Sequence, residues 1–585
     1  MAEKIFMISV NQKRYEIKEG DLRLEQALSQ NHDIPLEIAS ILIKRDISCD
    51  EAEDFLNPTL KRYLLDPVHL KDFQKAVDRL YEALMHKEKI VIYGDYDVDG
   101  ATSSAVWKRY LNACGVGCDI FIPRRLEEGY GPNKEALLEL KNKGAQVVIF
   151  VDCGTTAFDE LSYAKEIGLD CLIFDHHAGA TTLPEAVSII NPNRLDEDSP
   201  LTYLCAAGVS FVFLTGLNRF LRQKGWFEKI PEPNLLSLLD LVALGTVCDV
   251  MPLKNLNRAF VKQGLKIMKQ RHNIGLRALC DVSGLDSTPS SYHLGFVLGP
   301  RVNAGGRVGE SHLGSLLLST NDPSCAQEIA KKLNHYNEER KTIEHQVLEE
   351  SLNQIFLKNL EKDPVLLVQG NGWHPGVIGI VASRLKEKFK KPACVIAFDE
   401  HGIGKGSGRS VTGVHLGMCM HKAVHHKLLL HGGGHEMAAG FTVLKDSFEA
   451  FYDFVQQDLK DSLEGYKPIE YLDAVLSLQG LNPNFLEKLS LLEPYGAGHP
   501  SPRFLVQNCR VENAFPMGEG HARFELKTLD NFTIKAVSFR LTETPLETVI
   551  FSREKKLYDV VVQPKLDTFG GRNAVQVIVE DFIEM

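Results

Sequence analysis

With 585 residues, the chain is too long for one hydrophobic core and divides into roughly three or four domains. Its 44% apolar and 24% charged residues are those of an ordinary globular protein, and the lack of any run of about 18 apolar residues excludes a membrane-spanning helix. A net charge of −11 excludes indiscriminate coating of nucleic acid, while leaving room for a local basic groove.

Twelve cysteines are scattered without a Cys-x-x-Cys pair, and the amino end lacks the basic, apolar, small-residue order of a secretion signal. A reducing, cytoplasmic setting without a disulfide framework is expected.

Residues 1–80 are mixed, with helical pattern over Leu36–Ile43 and Ala52–Phe55. From 81 to 323 a first α/β domain is expected: β-rich runs at 89–94, 117–122, 146–151, 169–174 and 187–191 alternate with helical segments, and helices dominate from 204 to 285. This alternation implies a mostly parallel sheet covered on both faces. Residues 324–360 lack Pro and Gly and read as one connecting helix. A second strand–helix domain spans 361–458, opening at Pro364–Val368 and studded with glycine at 402, 404, 406, 408 and 432–434. From 469 to 585 the pattern turns to period-two alternation, at Ala522–Leu526 and Ala574–Val579 with a Gly570-Gly571 turn, as in a small antiparallel barrel or sandwich.

Carboxylates and imidazoles recur at the ends of the apolar runs. Asp95, Asp97 and Asp99 follow Ile90–Tyr93, Asp152 follows Val147–Val151, and Asp175-His176-His177 follow Cys171–Phe174. Ligands of parallel sheets collect at the carboxyl ends of the strands, which is where these residues fall. Asp95, Asp97, Asp152, Asp249 and His176 form a candidate metal cage, and its oxygen-rich donor set suits Mn²⁺ or Mg²⁺ better than a thiolate zinc site. Two such ions about 3.5–4 Å apart would stabilise both the entering and the leaving oxygen of a phosphodiester. A lone Asp after a strand is ordinarily a helix cap, and a calcium loop would need an acidic residue where Val106 stands. The conjunction of four such sites in one unit favours the metal centre.

Gly94–Ala105 (GDYDVDGATSSA), Asp152-Cys153-Gly154, Asp175-His176-His177 and Asp249 resemble the four motifs of the DHH phosphoesterase superfamily. Pro123-x-Arg125, Gly129-Tyr130-Gly131, Asn191-Pro192, Cys205–Val209 and Gly299–Arg307 resemble its RecJ family of single-strand-specific DNA exonucleases. Gly372–Gly379 and Gly432–His435 resemble the DHH-associated domain, and Glu493–Pro500 the entry to an OB fold.

The resemblance implies two α/β cores, DHH and DHH-associated, joined by a long helix and followed by an OB-like barrel. It implies a divalent-metal-dependent 5′→3′ exonuclease of single-stranded DNA, acting in repair and recombination, with a helicase and a single-strand-binding protein as partners. Asp95 would hold one ion, Asp97, His176 and Asp249 the other, and Asp152 would bridge them. His177 would face the scissile phosphate, and Asp175 would orient a histidine. Many superfamily members carry a histidine where this chain has Val91, so the first ion would be held more loosely.

Arg301, Asn303 and Arg307, on a glycine-rich loop, are expected to contact DNA. So are Arg409 and an anion nest formed by Gly432, Gly433, Gly434 and His435. The basic run Arg384–Lys391 reads as a solvated face, and Phe504, Phe524, Phe539, Tyr558 and Phe569 as barrel core. The rival readings are a short-oligonucleotide or cyclic-dinucleotide phosphodiesterase of the same superfamily and a non-catalytic replication scaffold.

Overall fold

The chain opens with two short antiparallel strands, β1 (Met7–Ile8) and β2 (Arg14–Ile17). In this computed structural model residues 6–124, 129, 131–554, 556–567 and 574–584 are described; Arg125, Tyr130, Phe569 and the Gly570-Gly571 turn lie outside them. The chain divides into two units: residues 1–63, 252–262 and 467–585 form one, and residues 64–251 and 263–466 the other.

The larger unit holds two sheets. The first comprises β3 (Ile90–Gly94), β4 (Cys118–Phe121), β5 (Val147–Val151), β6 (Asp170–Phe174) and β7 (Ser188–Ile190), in the order β4-β3-β5-β6-β7 with every pair parallel. Strands β3 and β5 are buried along their whole length, which is why they read as unbroken apolar runs rather than alternating ones. Register is the decisive detail. Gly94 pairs with Val151, Val151 with Phe174, and Phe174 with Ile190. The next residues, Asp95, Asp152, Asp175 and Asn191, therefore leave the sheet in one row, spaced by the strand separation of about 4.8 Å.

Gly299–Arg307 is not the expected loop. It lies in the helix Gly299–Val308, entered through a π-helical turn at Leu294–Leu298. Glycine is needed there for close approach: a Cβ on Gly306 would stand 2.8 Å from the Tyr96 carbonyl oxygen.

The connecting helix spans Pro323–Lys358, with Asp322 capping it through a 2.8 Å bond from the Ser324 N–H. It buries Asn337, Arg340 and Glu344, and Glu344 pairs with both Arg340 and Arg384. At least one cation of the Arg384–Lys391 run, the half-exposed Arg384, thus pairs with a buried carboxylate of this helix.

The second sheet contains β8 (Leu366–Asn371), β9 (Ala393–Phe398), β10 (Ile403–Arg409), β11 (His431–Gly434) and β12 (Ala438–Leu444), in the order β11-β12-β10-β9-β8; only β8 and β9 run parallel. The alternate glycines of β10 make room for neighbouring side chains. A Cβ on Gly406 would lie 2.2 Å from the Phe441 ring.

In the smaller unit β13 (Ile469–Leu472) joins β2 in parallel. Strands β14 (Ala474–Leu476), β15 (Phe504–Pro516), β16 (Ala522–Thr528), β17 (Thr533–Ser538), β18 (Tyr558–Asp567) and β19 (Ala574–Glu584) follow. Pairing of β15 with β18 closes a five-stranded barrel, which is mostly antiparallel except for β17 with β19. Phe504, Phe524 and Tyr558 are core as expected, whereas Phe539 is 46% exposed.

Leu28, Ile38, Ile41 and Leu42 of the amino-terminal helices share this barrel's core. Two buried ionisable groups tie the unit together. Asp581 accepts hydrogen bonds from Ser9 Oγ (2.8 Å), Asn11 Nδ2 (3.2 Å) and Tyr15 OH (3.2 Å). Arg258, 1% exposed, donates to the carbonyls of Phe55 (2.8 Å), Leu492 (2.8 Å), Glu493 (3.0 Å) and Pro494 (3.0 Å), and lies 3.9 Å over the Phe55 ring.

Candidate metal centre

The aspartates of the cluster are placed by different local devices. Asp95 follows β3. Asp97 is the N-cap of the helix Val98–Ala113 and accepts from the Gly100 N–H at 3.0 Å. Asp152 follows β5 in the left-handed region at φ 62°, a conformation Asp tolerates better than bulkier residues. Asp249 is the C-cap of the helix Leu239–Cys248.

His176 and His177 leave β6 after Asp175, whose carboxylate gathers the turn. It accepts from the N–H groups of His176 (2.7 Å), His177 (3.2 Å) and Thr155 (3.1 Å), and from Nδ1 of His177 (2.7 Å).

These side chains meet. Nε2 of His176 lies 3.2 Å from Asp152 Oδ1 and 3.5 Å from Asp249 Oδ2. Ligand atoms lie within 4.8 Å of one another in three overlapping sets: Asp95, Asp97 and Asp152; Asp99, His176 and Asp249; and Asp152, Asp175, His176 and His177. Asp152 belongs to two of them. Asp97 falls in the set of Asp95 and Asp152, while His176 and Asp249 gather with Asp99.

Asp99 is absent from the sequence-derived cage. Both its oxygens are engaged, accepting from the N–H groups of Ala206 (2.5 Å) and Ala207 (3.0 Å), so it anchors the start of the helix Ala206–Gln223 beside the cluster. Asn191, last in the row, is the second residue without an expected role. Its Nδ2 donates to Thr155 Oγ1 (2.9 Å) and to the His177 carbonyl (2.8 Å), bracing the histidine turn. A polar residue directly after a fourth parallel strand was the available signal for it.

Burial and mutual repulsion push the carboxyls up: Asp249 to about 9, through burial and then Asp99 and Asp97, and Asp99 to about 7. Asp152 is likewise raised, by burial and the surrounding aspartates. His176 falls to about 4, through burial and then the neighbouring His177, and so stays neutral as a metal ligand must. Burial also disfavours the charge on His177, but the bond and charge of Asp175 outweigh it and raise the imidazole to about 9. Asp175 in turn stays below the ordinary carboxylate range despite its burial.

The donor set fits divalent cations on the structure's own terms. Crowded carboxylates call for positive charge, and both His176 Nε2 and Asp249 Oδ2 are buried without a hydrogen-bond partner among the described residues. Carboxylate oxygens with one imidazole suit Mn²⁺ or Mg²⁺.

The residues expected to bind substrate lie elsewhere in the same unit. On the helix Gly299–Val308, Arg301 donates to Asn334 Oδ1 (2.9 Å) and the Val297 carbonyl (2.7 Å), Asn303 is half-buried, and Arg307 donates to the Gly376 carbonyl (3.0 Å). Arg409 ends β10 and donates to Ser407 Oγ (3.1 Å) and the Gly408 carbonyl (2.8 Å). Gly432, Gly433 and Gly434 form the edge strand β11 rather than a loop, and His435 follows in the turn, its N–H donating to Ala438 at 2.8 Å.

Comparison with known proteins agrees with this architecture. Residues 89–246 match the DHH family N-terminal domain, 362–461 the DHHA1 domain and 472–581 the RecJ OB domain. The single-stranded-DNA-specific exonuclease RecJ of Bacillus subtilis is 31% identical over 97% of this chain and 70% of its own length; that of Salmonella typhimurium is 35% identical over 88% and 90%. The crystal structure of RecJ in complex with Mn²⁺ from Thermus thermophilus superposes with a TM-score of 0.79 at 30% identity, covering 97% of this chain and 79% of that one. The chain belongs to the RecJ family of single-stranded-DNA-specific exonucleases.

Proposed function

We propose that the aspartate–histidine cluster is where this exonuclease hydrolyses single-stranded DNA, and that it degrades the strand from the 5′ end. The observation that carries this reading is the register of the first sheet, which delivers Asp95, Asp152 and Asp175 side by side and brings His176 within 3.2 Å of Asp152.

Asp95, Asp97, Asp152, His176 and Asp249 would hold two ions of Mn²⁺ or Mg²⁺, with Asp152 shared. Bound divalent ions supply Lewis-acid stabilisation of the charge that develops on phosphate oxygens. The protein supplies the rest. Asp175 fixes the orientation of His177 through Nδ1 and favours its charged form. His177, 41% exposed at its side chain and protonated near neutral pH, offers the Nε2 proton to an oxygen of the scissile phosphate.

Arg301, Asn303, Arg307, Arg409, Gly432, Gly433, Gly434 and His435 would guide the strand. In keeping with its family, the enzyme would act in DNA repair and recombination in the cytoplasm, beside a helicase and a single-strand-binding protein. Among the described residues, no helix is long and apolar enough to cross a membrane.

The test uses single-stranded DNA labelled at either end, with and without Mn²⁺. Stepwise release of label from the 5′ end of long strands is expected. Cleavage restricted to very short oligonucleotides would indicate a small-substrate phosphodiesterase, and binding without metal-dependent cleavage would indicate a scaffold.

A further inference from the structure

Two large aromatic side chains stand in solvent on the segment that packs against the carrier of Asp249. Tyr292 is 63% exposed and Phe296 is 72% exposed, and their rings stack with centroids 5.1 Å apart and an interplanar angle of 27°. Exposed rings of this size, held rather than loose, are what a binding surface presents before its ligand arrives.

The segment holding them is rigidly built. Ser290 and His293 form a capping box at its start, with Ser290 Oγ and His293 Nδ1 2.8 Å apart. The π-helical turn Leu294–Leu298 then re-aims the chain, and its fully buried ends, Leu294 and Leu298, anchor it. Arg301 caps the Val297 carbonyl at 2.7 Å and is itself oriented by Asn334.

The turn is seated beside the metal centre. Cys248 Sγ donates to the Leu294 carbonyl at 3.3 Å, and a Cβ on Gly299 would stand 2.4 Å from that same sulfur. Asp249, the next residue after Cys248, has its Oδ2 3.5 Å from Nε2 of His176.

We infer that Tyr292 and Phe296 form a stacking platform for a nucleobase of the DNA strand whose phosphate lies at the cluster. The inference rests on the function proposed above and deepens it by locating a base contact. The pair's own chemistry selects a base rather than the backbone: two stacked, exposed rings offer a π face to a base, and the nearest guanidinium along the chain, that of Arg301, is engaged by the Val297 carbonyl and Asn334 Oδ1.

The experiment measures both affinity and turnover in the full chain. Binding of a fluorescent single-stranded oligonucleotide is followed by anisotropy without metal, so that no cleavage occurs, and KM and kcat are measured with Mn²⁺. Loss of one stacked base corresponds to about a 5- to 150-fold change. Phe296→Ala and Tyr292→Ala should raise Kd and KM by at least the lower value with kcat little changed, and Phe296→Trp should restore them. The wild-type-to-variant ratio should hold constant with salt while both affinities fall. On strands carrying a single abasic residue, walked along the sequence, one position should abolish the penalty.

Unchanged Kd and KM would overturn the platform, as would a penalty equal on every abasic strand, which would leave the rings to a protein partner. Loss of bound Mn²⁺ in the variants would make their role structural and overturn it too. If the wild type binds single strands but never cleaves them, the proposed function fails while the stacking test stands on the binding data.

Discussion

The metal cluster and the core around Arg258 both bury ionisable groups, and they treat them in opposite ways. Among the described residues Arg258 pairs with no carboxylate, yet four carbonyl bonds and an aromatic face satisfy it. Asp581 is likewise served by four donors, the side chains of Ser9, Asn11 and Tyr15 and the Phe582 N–H. In the cluster several carboxylates crowd around two imidazoles, and His176 and Asp249 bury ligand atoms that make no hydrogen bond among the described residues. Completed polar networks hold a fold together, while incomplete ones with like charges facing each other are built for something that comes later.

The sharpest break of this contrast is Asp152→Asn. It removes a shared ligand and one repelling charge, so cleavage at saturating Mn²⁺ should fall by about a thousandfold or more while the metal-free protein is no less stable. Near-native turnover would sink the cage assignment; a lowered Tm of the metal-free protein would sink the repulsion argument. Arg258→Met should do the reverse. Stranding buried carbonyls should cost about 3–5 kcal/mol in denaturant unfolding, with Mn²⁺ binding retained. A variant as stable as the parent would show that Arg258 is only a filler.

What the sequence made legible follows the same divide. The buried central strands read as apolar runs, so the strands of the first sheet and the acidic residues after them could be placed to within a residue. Asp99 could not be assigned, because its role is a tertiary contact with Ala206 and Ala207. The glycines of Gly299–Val308 resembled a loop because local propensity cannot see the backbone of Tyr96 pressing on Gly306. Residues 6–63 gave no sign of sharing a core with residues 478–582, since no local pattern encodes pairing across the whole chain.

Smaller effects should refine the picture. Asp175→Asn removes the negative charge facing His177 Nδ1 and should lower kcat about 10- to 100-fold. In the metal-free protein the His177 titration, followed by NMR, should move from about 9 toward the ordinary value. An unmoved titration would mean that Asp175 is not what raises it.

pH linkage supplies the mildest test. The folded carboxyl of Asp249 is raised from 3.8 to about 9, so between those values the folded state holds more protons than the unfolded. The contribution of this group is therefore full below 3.8 and is lost as pH rises toward 9. Mn²⁺ should offset that loss, with Tm rising more on metal addition at pH 8 than at pH 5. A Tm gain independent of pH would argue that the metal displaces no protons.

The bond from Ser9 to Asp581 joins residues 572 positions apart, and it sets a clock on biosynthesis. At about 5–20 residues per second, the amino-terminal strands and helices wait roughly half a minute to two minutes for β19 to leave the ribosome. Throughout that interval Leu28, Ile38, Ile41 and Leu42 have no barrel to pack on. These helices thus settle late, and the nascent chain carries an apolar surface that cellular chaperones are suited to shield until β19 emerges.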